Sequence, residues 1–205
     1  MSYIARKDSS EAVAHVVTIP NLLTILRFLL VPVVVWAISQ GQDLVAFAVF
    51  VIAGVTDGAD GFIAKKWNLS SRLGAYLDPL ADKALLVSIF VALGFVGQLP
   101  VWLVVAVVAR DLLILAAVVV SSLLGQTVPI RPLFVSKVTT VAQILLAALV
   151  LADLAFSLDL ARPRAVMVLV AAALTAASAA AYLVVWLRFM SERSLAELPE
   201  EDKQP

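Results

Sequence analysis

Long apolar runs broken by short polar stretches fill most of this chain. A helix that crosses a bilayer needs about 20 mostly apolar residues. Six stretches meet that length: Asn21 to Ser39, Leu44 to Ala64, Leu73 to Val96, Pro100 to Leu124, Leu133 to Leu154 and Arg164 to Phe189. Gly41, Gly97 and Gly125, each beside a glutamine, mark three breaks, and Arg162-Pro163-Arg164 marks the last. No strand alternation and no fixed-length repeat is present. The pattern predicts an all-α integral membrane protein with six transmembrane helices. Residues 1–18 read as a cytoplasmic or juxtamembrane arm, 19–190 as the transmembrane domain, and 191–205 as a solvated, disordered cytoplasmic tail.

Composition narrows the alternatives. Of 205 residues, 62% are hydrophobic and 15% charged, and mean hydropathy is +1.02. Soluble domains carry about a quarter charged residues, and one soluble core of this size could not hide so much apolar surface. Net charge is zero, which offers nothing to a nucleic acid, and the absence of cysteine excludes thiol chemistry and disulfides. The first 15 residues mix Arg6, Lys7, Asp8 and Glu11 without an apolar core, unlike a secretory signal or an acid-poor mitochondrial presequence.

Basic residues set the expected orientation. Arg6 and Lys7 precede the first span. Lys65, Lys66 and Arg72 join the second to the third, Arg131 and Lys137 lie near the fourth–fifth junction, and Arg188 and Arg193 close the sixth. The turns at 40–43 and 97–99 have no basic residue. The positive-inside rule then places both termini in the cytoplasm, with Arg162 and Arg164 as the one basic pair on the opposite side. A bacterial-type inner or plasma membrane is the expected location. Trp36, Trp67, Trp102 and Trp186 read as interface anchors.

Four aspartates stand out against this background. Asp57 and Asp60 are three apart, and Asp78 and Asp82 four apart, so each pair shares a helix face. An aspartate at mid-bilayer costs about 2.5–3.5 kcal/mol, so four of them ask for a reason. The two spans are consecutive and joined by a short basic stretch, which brings both pairs to the cytoplasmic end of antiparallel helices. Converging carboxylates require positive charge among them. Two Mg²⁺ or Mn²⁺ ions fit oxygen ligands, and a two-metal clamp suits phosphoryl displacement. Gly58, Gly61, Gly74 and neighbouring alanines leave room for a bulky nucleotide, and Pro79 predicts a kink near Asp78. An interfacial salt-bridge network with Lys65, Lys66, Arg72 and Lys83 is compatible with the same residues, as is a cation-transport path.

The motif itself reads Asp57-Gly58-Ala59-Asp60-Gly61-Phe62-Ile63-Ala64-Lys65, eight residues, Gly74, three, Asp78, three, Asp82. It resembles the signature D-x2-DG-x2-AR-x8-G-x3-D-x3-D of the CDP-alcohol phosphotransferase family. The one departure is Lys65 in place of arginine, which keeps the charge and loses the planar fork. The resemblance implies a six-helix, dimeric membrane enzyme with two metal ions near the cytoplasmic face. It implies metal binding by Asp57, Asp60, Asp78 and Asp82. Asp82 would also be the general base, and Asp57, Asp60, Gly61, Ala64, Lys65, Gly74 and Asp78 would form the CDP site. The donor would be CDP-diacylglycerol.

The acceptor is read from the fifth span. Phe134-Val135-Ser136-Lys137-Val138-Thr139-Thr140 with Gln143 resembles the S-K-x-N-T-x-x-Q segment of the CMP-forming cardiolipin synthase branch, with Thr139 as a departure. That branch uses phosphatidylglycerol. Phosphatidylglycerophosphate synthases, which take glycerol 3-phosphate, are the alternative. Lys137, Thr140 and Gln143 recur every three residues, share a broad helix face and, with Arg110, are the candidate acceptor contacts. A snorkelling lysine with helix-packing hydroxyls explains the three equally well, and Arg110 reads as well as metal-site support or as a pair mutually neutralised with Asp111. Arg27, with Asn21 and Thr24, reads as a contact to lipid phosphate or pyrophosphate, or as an interfacial anchor. His15 is the only histidine, which excludes a phospholipase D-like mechanism built on two histidine motifs.

Overall fold

Six helices are built where the apolar runs predict them. The computed structural model describes the backbone of residues 19–67, 72–123 and 134–196, with side chains over 25–57, 81–116 and 134–187. The helices are α1 (Ile19–Ser39), α2 (Asp43–Trp67), α3 (Arg72–Phe95), α4 (Val101–Leu123), α5 (Phe134–Phe156) and α6 (Ala161–Ala196), and no strand occurs among the described residues. Two of them, α5 and the Ala161–Leu187 part of α6, are long and apolar enough to cross a membrane among those residues. The 1–18 arm, Gly125 and Arg131 lie outside the described residues.

Glycine ends the first and third helices through the same hydrogen-bond pattern. Gln42 N–H donates to Ala37 O at 2.8 Å and Gly41 N–H to Ile38 O at 3.2 Å. After α3, Gln98 N–H donates to Leu93 O at 2.8 Å and Gly97 N–H to Gly94 O at 3.1 Å. This is the Schellman arrangement, which needs a left-handed residue at the position both glycines hold, φ +67° and +75°. No atom lies within 4 Å of a Cβ added at Gly41 or Gly97, so backbone strain alone decides a substitution there. Gly41→Ala or Gly97→Ala is expected to destabilise by roughly 1 kcal/mol. A lowered melting temperature checks this, with Gly54→Ala, at an ordinary helical φ and in equally open space, as the control that does not lower it.

Two readings change. Arg162, Pro163 and Arg164 do not break the chain but form the first turn of α6, where proline has no helical hydrogen bond to lose. The break falls earlier, at 157–160, where Ser157 and Asp159 take positive φ of 51° and 55° and Asp153 accepts the Leu160 N–H at 3.0 Å. At the other end, α6 runs to Ala196, six residues into the stretch read as a disordered tail. Helix α3 passes through Pro79 without interruption.

The chain divides into two compact units. One comprises Met1–Pro100 with Ala147–Ala161, the other Val101–Leu146 with Arg162–Pro205. In the first, α1 packs against both α2 and α3. Buried residues follow helical periods, as with Ala46, Val49 and Ala53 on α2 and Ala81, Leu85, Ile89 and Leu93 on α3. In the second unit the buried stripe of α6 is Val168, Ala171, Thr175, Ser178 and Tyr182. Each helix also turns large apolar side chains outward: Leu29, Val55, Val91, Leu112, Leu145 and Leu169 are examples.

Candidate active site

The motif acids lie on two unbroken helices. Asp57 and Asp60 ride on α2 and Asp78 and Asp82 on α3, so the three- and four-residue spacings do place each pair on one helix face. The side chains of Asp60, Gly61, Ala64, Lys65, Gly74 and Asp78 lie outside the described residues. Those of Asp57 and Asp82 are described, and they meet. Arg27 of α1 sends Nη1 to within 3.0 Å of Asp57 Oδ1, and the same nitrogen donates to Asp82 Oδ1. The first and last acids of the motif thus share one guanidinium nitrogen.

Burial makes that arrangement informative. The Arg27 side chain is 1% exposed, whereas those of Asp57 and Asp82 are 53% and 43% exposed. Arg27 is therefore not exposed as an interfacial anchor would be. It supplies, from inside the α1–α3 packing, the positive charge that converging carboxylates require. Among the described residues no three acids or histidines cluster as a metal site. The Asp57–Asp82 pair nevertheless offers exposed oxygen ligands from two helices already gathered about one cation, which suits a hard divalent ion.

The second unit holds a buried polar seam. Arg110 Nε and Nη2 donate to Ser178 Oγ at 3.1 and 2.7 Å, Nη2 to Ser136 Oγ at 2.6 Å, and Nη1 to Asp111 Oδ1 at 2.6 Å. One guanidinium ties α4 to α5 and α6. Below it, Thr139 Oγ1 lies 2.8 Å from Val135 O and 3.0 Å from Leu174 O, and Gln143 Nε2 donates to Thr175 Oγ1 at 3.3 Å. Thr139 and Gln143 are fully buried. Interhelical hydrogen bonds of this kind suit helices that gain nothing from apolar burial against lipid.

This geometry divides the predicted acceptor set. Lys137 is exposed and Thr140 half-buried, with its hydroxyl donating to Ser136 O at 3.2 Å. Gln143 faces the α6 contact. Three residues advance a helix by about 300°, so each step lags about 60°, and Gln143 ends about 120° round from Lys137. The three are not on one open face. Arg110, for its part, spends its donors on Asp111 and two serines, which matches the neutralisation reading.

Comparison with known proteins bears on what these clusters serve. The profile of the family described as CDP-alcohol phosphatidyltransferase matches residues 17–186. The chain belongs to that family. The match covers the motif, Arg27 and the whole Arg110 seam. Similar proteins include a cardiolipin synthase (CMP-forming) of Rattus norvegicus, 36% identical over 168 residues, which are 74% of this chain and 56% of that protein. Another carries the same name in Homo sapiens, 37% identical over 156 residues, 68% of this chain and 52% of the relative. A third is a chloroplastic CDP-diacylglycerol--glycerol-3-phosphate 3-phosphatidyltransferase of Oryza sativa subsp. japonica, 37% identical over 167 residues, 69% and 50% of the two chains. The chain spans about half the length of these curated relatives.

For a CDP-alcohol phosphatidyltransferase, sequence reasoning located the motif and missed its surroundings. Ser178 and Thr175 went unread, as did Ser136 as a partner of Arg110 and Arg27 as the partner of Asp57 and Asp82. Thr175 and Ser178 carried a signal: three apart in an alanine-rich helix, they mark a polar contact stripe.

Proposed function

We propose that this chain transfers the phosphatidyl group of CDP-diacylglycerol to phosphatidylglycerol, giving cardiolipin and CMP. The observation that carries the reading is the motif on α2 and α3, whose end members Asp57 and Asp82 converge. Asp57, Asp60, Asp78 and Asp82 would hold two Mg²⁺ or Mn²⁺ ions. Such ions, when bound, neutralise the pyrophosphate and stabilise the departing phosphate. Gly61, Ala64, Lys65 and Gly74, on the same two helices, would border the CDP. Asp82 accepts the proton of the acceptor hydroxyl, whose oxygen forms the new bond to the phosphatidyl phosphorus as the bond to CMP breaks. Lys137, exposed on α5, is the basic residue offered to an acceptor phosphate.

The relatives named cardiolipin synthase (CMP-forming) support phosphatidylglycerol as acceptor. The rice relative supports the second reading, phosphatidylglycerophosphate synthesis from glycerol 3-phosphate. Purified protein given CDP-diacylglycerol, Mn²⁺ and each acceptor separately is expected to release CMP with phosphatidylglycerol. Release with glycerol 3-phosphate alone would select the second reading, and no release with either would reject both.

All six helices would span the membrane with both termini and the motif on the cytoplasmic side. The outward apolar side chains on every helix support this. A homodimer is the proposed assembly.

A further inference from the structure

Arg27 deserves a role of its own in this site. Its guanidinium reaches Asp57 and Asp82 from the buried side, while both carboxylates are about half exposed on the other. Asp57 and Asp82 sit on different helices, and α1, which bears Arg27, packs against both. A single long side chain therefore links three helices through the two acids.

We propose that Arg27 is a built-in counter-cation: it holds Asp57 and Asp82 together before metal binds, and it competes with the divalent ion for their oxygens. This rests on the metal reading of the motif. Two carboxylates drawn this close without a cation repel each other, and a neighbouring positive charge removes that repulsion. The α2 and α3 ends are then already arranged when a metal ion arrives. The same charge opposes the incoming ion, because like charges a few ångströms apart repel strongly beside a protein interior. Arg27 thus sets a threshold: the site is ordered at low cation concentration and fills only at a higher one. It is a positioning residue, acting through the acids.

The test uses the full chain in detergent or nanodiscs, with Mn²⁺ binding followed by electron paramagnetic resonance and melting followed in EDTA. Arg27→Gln is expected to bind Mn²⁺ about tenfold more tightly, to melt lower than wild type in EDTA, and to regain more on adding Mn²⁺. Arg27→Lys, which keeps the charge, is expected to stay near the wild-type affinity. In the unmutated chain, adding Mg²⁺ is expected to shift the Arg27 guanidinium resonances, assigned by their loss in Arg27→Lys. This last measurement stands even where Arg27→Gln does not fold. Equal or weaker Mn²⁺ binding by folded Arg27→Gln, or resonances that Mg²⁺ leaves in place, would overturn the proposal alone. Wild-type protein that holds no Mn²⁺ would overturn the metal reading and this proposal with it.

Discussion

Asp82→Asn is expected to keep donor binding and to lose turnover by about 10²–10⁴-fold, the usual contribution of a positioned general base. Asparagine has nearly the shape of aspartate and retains an oxygen that can accept from Arg27. It cannot take up a proton at neutral pH. The fold has reason to survive the change: Asp82 is 43% exposed, and Arg27 keeps its ion pair with Asp57. Two measurements separate the roles. A binding titration with CDP-diacylglycerol reports the donor site, and the CMP release rate reports the chemistry. Near-normal turnover would remove Asp82 as the base. Loss of donor binding along with turnover would make Asp82 chiefly a ligand.

Arg110→Ala carries the largest expected effect on stability, about 3–5 kcal/mol, the cost of breaking a buried charge pair by removing one partner. Arg110 and Asp111 side chains are 1% and 13% exposed, and Ser178 is fully buried, so truncation leaves a carboxylate and a hydroxyl without their charged donor. The melting temperature should fall on the order of 10 °C for a chain of this size. Arg110→Lys should not restore it, because one ammonium cannot reproduce the fork that reaches Asp111, Ser136 and Ser178 at once. If Arg110 served the acceptor instead, the variant would lose activity with little change in melting temperature. The two outcomes are distinct.

How far the sequence reached differs from place to place, for physical reasons. Helix positions were legible because run length is local, and the helices start and stop within three residues of their apolar runs, except that α6 continues seven residues past Phe189 to Ala196. The Gly41 and Gly97 stops were legible because only glycine takes the left-handed turn without strain. The Arg162-Pro163-Arg164 stretch misled because proline terminates a helix from inside and is tolerated in its first turn. The surroundings of Lys137 and Gln143 were not legible because a step of three residues drifts round the helix, carrying Gln143 into the α6 contact while Lys137 stays outside.

The sequence by itself determined the all-helical class, the helix ends at Gly41 and Gly97, and the family, since a motif on one helix turn or two keeps its geometry whatever surrounds it. Only the tertiary structure decided which partners the buried charges take. Arg27 meets Asp82 across 55 positions and Arg110 meets Ser178 across 68. In a soluble protein the polar face of each helix would reveal its rotation and so suggest such partners. Here the outward faces also carry many large apolar side chains, so the pattern sets where each helix runs and leaves its rotation to packing and to a few buried polar contacts.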